Sequence, residues 1–381
     1  MAIGLSRNQQ VFAVEESTKG TLVFPAATDF IVCTGEVSIE QDAAWSDVEE
    51  IQNTRDVLER LQGQIPAGTW SLSMNFRAQA AGSVPQGDVL FKCLMGSKAV
   101  NAGTSIVYSQ GAKESFTLWS LKDHFLEIAV GCSVDELVIT PEKDKTITLA
   151  FSGKCMKKIW CGTGALGAGE VEAQTVLTVS DEKQFGVGAF IWNVTQDDDN
   201  SGAGYEVTAI DTVAHTITID PAVPTGGWDS GDVLAPFLPT GTKIGTVVEG
   251  RKLALTFGGT ATTVKTASVN IKDAAYFLED EVTSSGYCED FIDGENREIT
   301  AEMELLFRTE KVALFYDAFN NTTKIFQLIL GSTAGYRMKV LCSYTKMMMP
   351  KPTFDGPAVK IPVSVKALGS SGEDSCTITI Y

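Results

Sequence analysis

The sequence contains very little histidine, a residue on which many catalytic and metal sites depend. Its 381 residues include only two histidines, His124 and His215, which stand far apart in the chain. A histidine-dependent triad or a typical zinc site requires more than two isolated imidazoles. We therefore expect structural or solvated roles for both, and we predict no catalytic, cofactor-binding or metal-binding residues.

The eight cysteines show no spacing typical of a metal site. Cys155 and Cys161 are the closest pair, and the five residues between them fit no compact zinc pattern. In a reducing compartment such cysteines are ordinarily buried free thiols, and this is our expectation. A disulfide between two of them stays open as the alternative.

Long apolar runs are also absent. No stretch has the roughly 20 consecutive apolar residues that a membrane-spanning helix needs, and the opening MAIGLSRNQQ lacks the apolar stretch of a secretory signal. Hydrophobic residues make up 44% of the chain and charged residues 20%, which is typical of a globular protein. We expect a soluble protein made in a cytoplasm, with no membrane partner.

Basic residues are outnumbered, and the formal net charge is −18. Ordinary nucleic-acid binding draws its affinity from Lys and Arg that neutralise phosphates, so this balance argues against it. The acidity is uneven, because residues 162–240 hold twelve acidic residues and one basic residue, Lys183. This imbalance indicates that the middle segment is a separate unit.

Motifs for phosphate binding or covalent catalysis are missing as well. No Gly-rich loop follows a predicted strand and opens a helix, and there is no GxSxG elbow. The run Asp197–Gly202 resembles an oxygen-rich calcium loop, but Thr208 stands where the twelfth, acidic ligand belongs. An exposed hairpin tip is the favoured interpretation. Glu49 and Glu50 lie in a polar stretch without an evident pocket, and we do not expect an enzyme.

The sequence does contain a second, divergent copy of its own pattern. The matching segments occur in the same order, and the third pair ends each time in Phe-Arg. The pairs are Thr34–Ile39 with Thr266–Ile271, Asp47–Gly63 with Glu279–Gly294, Thr69–Arg77 with Thr300–Arg308, Asp88–Met95 with Val312–Phe319, Ser115–Leu118 with Ile325–Ile329, Phe125–Val130 with Tyr336–Leu341, and Thr146–Phe151 with Val359–Val363.

This repeat predicts a mainly β fold with two tandem β-sandwich domains. The fourth pair of segments predicts one amphipathic helix on the flank of each domain, and most of the others predict short alternating strands. The second pair is acidic and weakly periodic. We interpret each of its members as a long hairpin or loop that reaches beyond its own domain.

The middle segment has no counterpart and opens with the flexible sequence GTGALGAG. Its predicted strands are Thr175–Val179, Ala189–Val194, Tyr205–Ile210 and Thr216–Ile219. We predict a small all-β insertion domain on the exterior, because a surface loop tolerates an insertion at little cost. The predicted boundaries are 1–161 for the first domain with its N-terminal arm, 162–245 for the insert, and 246–381 for the second domain.

Two stretches resemble the tube proteins of long-tailed bacteriophage tails. Val14–Thr21, followed by Pro25, is similar to the opening of many siphophage tail tube proteins. Gly131–Leu137 and Phe151–Lys154 resemble the strand, turn and strand that leave the first tube domain in that family. The resemblance covers essentially the whole chain and points to a siphophage major tail tube protein with fused duplicate tube domains and an inserted β-rich domain.

The resemblance implies a structural virion protein in the tail, made in the host cytoplasm. Three copies would form a ring with pseudo-sixfold symmetry, and stacked rings would form the hollow tube through which DNA passes without specific binding. The implied partners are further copies of the chain, the tape measure protein, the tail terminator and distal tail proteins.

We expect the lumen-facing residues at alternate positions of Thr69–Arg77 and Thr300–Arg308. The acidic stretches Asp47–Gly63 and Glu279–Gly294 and the arm Met1–Phe24 would bridge to the next ring. Two alternatives remain. The first is a tube subunit of a contractile tail, which is usually one short domain, and the second is a β-modular decoration or host-surface-binding protein of the virion.

Overall fold

The structure is a computed structural model, and it describes residues 9–48, 59–142, 144–281, 285–294, 296–355 and 358–381. Strands hold 49% of the residues and helical turns 7%. The prediction of a mainly β protein is therefore confirmed. The described residues contain strands β1 to β32 and two α-helices, α1 at Asp88–Met95 and α2 at Ala313–Phe319.

The strands are short and fall into three consecutive groups. The first group is β1 Gln9–Glu15, β2 Phe30–Ile31, β3 Ser38–Glu40, β4 Trp45–Asp47, β5 Arg60–Gln62, β6 Gly68–Asn75, β7 Arg77–Ala78, β8 Gly96–Asn101, β9 Ser105–Gln110, β10 Phe116–Lys122, β11 Phe125–Cys132, β12 Glu136–Pro141, β13 Ile147–Cys155 and β14 Lys157–Cys161. The second group is β15 Gly164–Ala165, β16 Val176–Thr178, β17 Phe190–Asn193, β18 Tyr205–Asp211, β19 Thr216–Asp220 and β20 Val233–Pro236.

The third group follows the middle segment. It comprises β21 Thr246–Val247, β22 Leu253–Phe257, β23 Thr260–Ala261, β24 Thr266–Lys272, β25 Ala275–Phe277, β26 Phe291–Asp293, β27 Glu298–Leu306, β28 Lys324–Leu330, β29 Met338–Met347, β30 Thr353–Asp355, β31 Ala358–Ala367 and β32 Thr377–Ile380. Turns of 3₁₀-helix lie at Ala27–Asp29, Glu182–Gln184 and Thr309–Val312.

Residues 9–161 build two antiparallel sheets that face each other across a core. Sheet I runs β2-β1-β10-β11-β14, and sheet II runs β3-β6-β13-β12. Every second residue of β6 points inward, and the Trp70 ring meets Phe116 of sheet I edge-on at 5.3 Å. Helix α1 buries Leu90, Phe91 and Leu94 in the same core.

The strands of the last group pair in the same order as those of the first. Sheet III runs β23-β22-β28-β29-β32, and sheet IV runs β24-β27-β31 and ends on the last residues of β29. The hairpin β25–β26 lies between β24 and β27, as the ladder β4–β5 lies between β3 and β6. The long strand β29 thus belongs to both sheets III and IV, whereas in the first part β11 belongs to sheet I and β12 to sheet II.

A glycine lies near the end of β11, just before the chain crosses to β12. Gly131 has φ +65°, and a Cβ there would lie 2.3 Å from the Met156 sulfur, so a larger residue does not fit. The chain bends at this point, leaves sheet I and continues into sheet II.

The two parts are joined edge to edge. Strand β12 of sheet II pairs with β24 of sheet IV, so that sheets II and IV form one continuous structure, here called the long sheet. On the other side of the core, β9 pairs with β32 and extends sheet III. A single cluster of buried apolar residues runs through both parts. The molecule therefore does not divide into two separate cores.

The middle group forms a six-stranded sheet in the order β15-β20-β17-β18-β19-β16. A bridge between Leu166 and Val179 joins the two ends of this sheet and closes it into a small barrel. The barrel packs on the side of sheet I that faces away from the core, where Phe190 lies 4.0 Å from Phe24 and 6.2 Å from Trp119, measured between ring centroids. The insert and the long sheet thus lie on opposite sides of sheet I.

Several expected elements have different bounds. The predicted strand Thr69–Arg77 breaks at Phe76, because Arg77 turns away to pair in β7 with Val247 of β21. Of the predicted strand Thr34–Ile39 only its last two residues lie in β3. Helix α1 has its predicted bounds, whereas α2 begins at Ala313, one residue later than expected. The hairpin β8–β9 was not predicted.

Candidate functional site

The long sheet presents polar side chains on the face that points away from the core. In β6 the alternate positions Thr69, Ser71 and Ser73 lie on this face, between buried apolar residues. The strand registers continue the face, because Ser71 pairs with Ser152, and Ser152 in turn pairs with Glu136. The same holds for β27, where the alternate positions are Thr300, Glu302, Glu304 and Leu306. The alternate positions of Thr69–Arg77 and of Thr300–Arg308 that were predicted from the sequence therefore share one face of the long sheet. Arg77 is the exception, because its side chain is buried.

Four lysines on this polar face are paired with glutamates. Lys366 lies 2.9 Å from Glu298, Lys272 lies 3.4 Å from Glu136, and Lys360 lies 3.7 Å from Glu304. Lys154, at the margin of the face, lies 3.8 Å from Glu279. The hydrogen bond from Lys366 lowers the pKa of Glu298. Each of these four lysines therefore faces a carboxylate, and the first part of the face is built mainly of neutral Ser, Thr and Asn side chains.

A buried charge network holds the two parts together beside the β12–β24 joint. Lys113 Nζ lies 3.4 Å from the Asp273 carboxylate and donates to the Val134 carbonyl at 2.6 Å. Arg297 approaches the same carboxylate at 2.8 Å. Burial lowers the pKa of Lys113, and the neighbouring Asp273 opposes that effect. Removing Asp273 would leave the buried Lys113 without its ion-pair partner, and the loss of one partner from a buried ion pair typically costs about 3–5 kcal/mol.

Among the described residues, the long sheet has an unpaired edge at each of its two ends. At one end β3 pairs on one side only, with β6. At the other end the last residues of β29 and the short β30 flank β31. Large apolar side chains are exposed along this second edge, with Tyr344 45%, Met348 56%, Met349 49% and Phe354 85% exposed. Exposed sheet edges and apolar patches are surfaces that another chain can cover.

The hairpin β25–β26 is folded onto the first part of the molecule. Phe277 and Phe291 are buried in a small cluster with Met156, and their rings lie 4.9 Å apart. Lys19 Nζ lies 4.5 Å from the centre of the Phe291 ring and donates to the Phe291 carbonyl at 2.7 Å. The Asp135 carboxylate accepts a hydrogen bond from the Ala275 N–H at 3.0 Å. Burial raises the pKa of Asp135.

The matching ladder β4–β5 packs on no such surface among the described residues. All six of its residues are exposed, including Trp45 at 57% and Leu61 at 56%. The Arg60 side chain donates to Asp47 at 2.8 Å and joins the two strands. Residues 49–58, which include Glu49 and Glu50 and much of the predicted acidic stretch, lie outside the described residues.

The residues considered for metal binding have structural contacts. The Asp198 carboxylate accepts hydrogen bonds from Tyr205 and from Trp228, at 2.9 Å each, and ties the β17–β18 turn to the barrel. His215 Nδ1 lies 2.7 Å from Glu182, and His124 lies 3.5 Å from Asp123. Within the described ranges no group of three or more His, Cys, Asp or Glu side chains is placed to hold a metal ion.

The eight cysteines are free thiols, and Cys33 is the least buried. Burial raises the pKa of Cys33 to about 12 and that of Cys161 to about 12. A thiol with such a pKa stays protonated at neutral pH and is a poor nucleophile. The seven buried cysteines therefore act as small core residues, and Cys33 packs against the core from its margin.

Comparison with known proteins supplies no family for this fold and these surfaces. No protein-family model matches the chain, and a search of curated proteins gives no match either. In the described part of the chain, no helix is both long enough and apolar enough to cross a membrane. The polar face, the free sheet edges, the hairpin β25–β26 and the ladder β4–β5 are therefore the features from which function is inferred.

Proposed function

We propose that the chain is a structural subunit of a hollow tube, the major tail tube protein of a long-tailed bacteriophage. Residues 1–161 and 246–381 would be its duplicate tube domains, and residues 162–245 an insert on the tube exterior. The observation that supports this most strongly is the repeated pairing order of sheets I and II in sheets III and IV, joined head to tail at β12–β24.

The joint between the halves favours a closed ring. The joint is heterologous, because it uses a different edge of each half. The same two kinds of edge stay open at the ends of the long sheet: β3, which is equivalent to β24, and the end of β29, which is equivalent to β12. Heterologous contacts that repeat with the same rotation generate rings when the rotation closes. Three chains would supply six similar halves, hence a trimer with pseudo-sixfold symmetry, and their long sheets would form one continuous barrel.

The polar face suits the inner wall of such a tube. Phosphates bind proteins chiefly through unpaired Lys and Arg, whose neutralisation of the backbone releases counterions. Here Lys272 and Lys366 are each held by a glutamate, and the β6 positions are neutral. A wall of this kind gives DNA few positive charges to bind, so that DNA can slide through it.

The order of layers supports an insert on the outside of the tube. Sheet I lies between the barrel of residues 164–236 and the core, and the long sheet lies beyond that core. If the polar face lines the lumen, the insert points away from it. The tube ends would then meet the tape measure, terminator and distal tail proteins, which are partners that the resemblance alone suggests.

The proposal is tested by electron microscopy of the purified, concentrated protein with classification of end-on views. We expect hollow rings or tubes with threefold outer knobs and an inner wall that looks sixfold. Monodisperse monomers at all concentrations would contradict the proposal. That result would favour a decoration or host-surface-binding protein, and the insert would then be tested against host surface glycans.

A further inference from the structure

The hairpin β25–β26, here called the seated hairpin, shows how the second half of this fold packs on the first half. The hairpin belongs to the second half, yet it packs on the first half, beside the β12–β24 joint. Its base is bonded there through the Asp135 carboxylate, and Ala67 N–H donates to Glu279 at 3.2 Å. Burial of the Phe277 and Phe291 side chains stabilises the hairpin at this site.

The strand registers locate the equivalent site on the second half. Thr69 of β6 pairs with Lys154, and Thr300 of β27, which opens the matching segment, pairs with Lys366. Lys154 and Lys366 therefore occupy the same position in the two halves. Two residues further on lie Met156 in the first half and Leu368 in the second.

A second pair of positions agrees with this alignment. The N–H of Asp135 donates to the Ser152 carbonyl, and the N–H of Met348 donates to the Ser364 carbonyl, both at 2.9 Å. Asp135 is the residue that holds the base of the seated hairpin. Its counterpart is therefore Met348.

The site is covered on the first half and open on the second. Met156 is 4% exposed under the hairpin, whereas Leu368 is 39% and Met348 56% exposed. The ladder β4–β5 has exposed apolar side chains, because Trp45 and Leu61 are more than half exposed. They lie on opposite faces of the ladder, since Trp45 pairs with Gln62 and Leu61 with Ser46. Each chain thus has exposed apolar side chains on the ladder β4–β5 at one end of its long sheet. At the other end it has an uncovered apolar site at Met348 and Leu368.

We propose that the ladder β4–β5 of one copy docks on the patch Met348, Met349 and Leu368 of the next copy in the same ring. This inference rests on the proposed function and makes the contact between chains a repeat of the contact within the chain. The occupant is a second copy because β3, which precedes the ladder, is the free edge that would pair beside this patch, as β24 pairs with β12.

Chemical cross-linking tests the contact. Two single variants, Trp45→Cys and Leu368→Cys, are mixed, allowed to assemble and treated with a short bis-maleimide, so that any link between the new thiols joins two chains. We expect dimer and larger bands from the mixture. The control mixture replaces Trp45→Cys by Val213→Cys, which alters an 89% exposed apolar residue in an insert turn, and it should yield at least fivefold less product.

Substitution tests the energetic importance of the same contact. We expect Trp45→Ser with Leu61→Ser to leave the circular dichroism and thermal midpoint of the monomer unchanged and to raise the protein concentration needed for ring formation at least tenfold. The control Val213→Ser should not change that concentration. Wild-type rings without the cross-link, together with normal ring formation by the double variant, would overturn this contact but not the tube. Failure of the wild-type protein to form rings would overturn both.

Discussion

At the scale of single residues, the N-terminal arm is fixed by a buried carboxylate. Glu16 is 3% exposed and accepts four hydrogen bonds, from the N–H groups of Gly20 and Gly131 and from the hydroxyls of Ser115 and Thr117, at 2.7–2.9 Å. One side chain therefore ties the arm, β10 and the Gly131 bend together. Hydrogen bonds to a charged group contribute about 1.5–3 kcal/mol each.

The substitution Glu16→Gln is expected to lower the free energy of unfolding by about 2–3 kcal/mol, because the amide nitrogen cannot accept the bonds that one carboxylate oxygen accepts. Urea unfolding followed by tryptophan fluorescence measures this change. The matched control is Glu15→Gln, next in the chain, whose side chain is 44% exposed and pairs with Lys92. Its loss should stay below about 1 kcal/mol, and equal losses in the two variants would contradict this role for Glu16.

The sequence identified the segment around Glu16 but not its partners. Val14–Thr21 stood out by resemblance, whereas the acceptor role of Glu16 depends on Ser115, Thr117 and Gly131, which are about a hundred residues away in the chain. The same limit applies to Asp198. Its local sequence suggested a loop tip or a calcium ligand, and its hydrogen bond from Trp228 appears only once the barrel has formed.

At the scale of elements, strands with strict alternation were the predictable ones. Helix α1 and the barrel strands β17, β18 and β19 lie where the pattern placed them, within one or two residues. The hairpin β8–β9 escaped prediction because its first strand, Gly96–Asn101, has no buried residue and shows no alternation. It is held by pairing of β9 with β32, which no local pattern encodes.

The insert is expected to be an integral layer of the molecule. Gly164 pairs with Leu234, so the chain enters and leaves the barrel side by side, and residues 165–233 can be replaced by a short Gly-Ser linker. Because Trp119 and Ile128 of sheet I are buried against the barrel, this deletion should raise binding of the dye ANS several-fold and lower the soluble yield.

The matched control for the deletion also carries Trp119→Gln and Ile128→Thr, which make the uncovered surface polar. This control should recover solubility and lose most of the dye binding. A soluble deletion variant with the dye binding of the intact protein would contradict the layered arrangement.

At the scale of the whole molecule, the sequence indicated a repeated order of segments but not the continuity of the sheets. Tandem segments are compatible with two independent sandwiches or with one shared structure. The β12–β24 ladder shows that the structure is shared. In this ladder Leu137 lies opposite Ile271, and Ile139 lies opposite Val269. Pairing between strands so far apart is set by three-dimensional packing, and hydrophobic periodicity does not report it.

Assembly of the whole molecule should depend strongly on salt. Each chain carries a formal charge of −18, so approaching copies repel one another, and this repulsion is screened over about 8 Å at 0.15 M salt but about 30 Å at 0.01 M. Assembly followed by light scattering should therefore be roughly tenfold faster in 0.3 M than in 0.02 M NaCl. Far-ultraviolet circular dichroism serves as the control for unchanged folding. Slower assembly at high salt would mean that ionic attraction between copies dominates.

The pairing of β9 with β32 has a consequence for biosynthesis. Residues 106–108 cannot reach their partners 378–380 until nearly all of the described chain has emerged from the ribosome. Contacts of such long range make folding slow. Until β32 has been made, β9 therefore keeps a free strand edge that another chain could pair with.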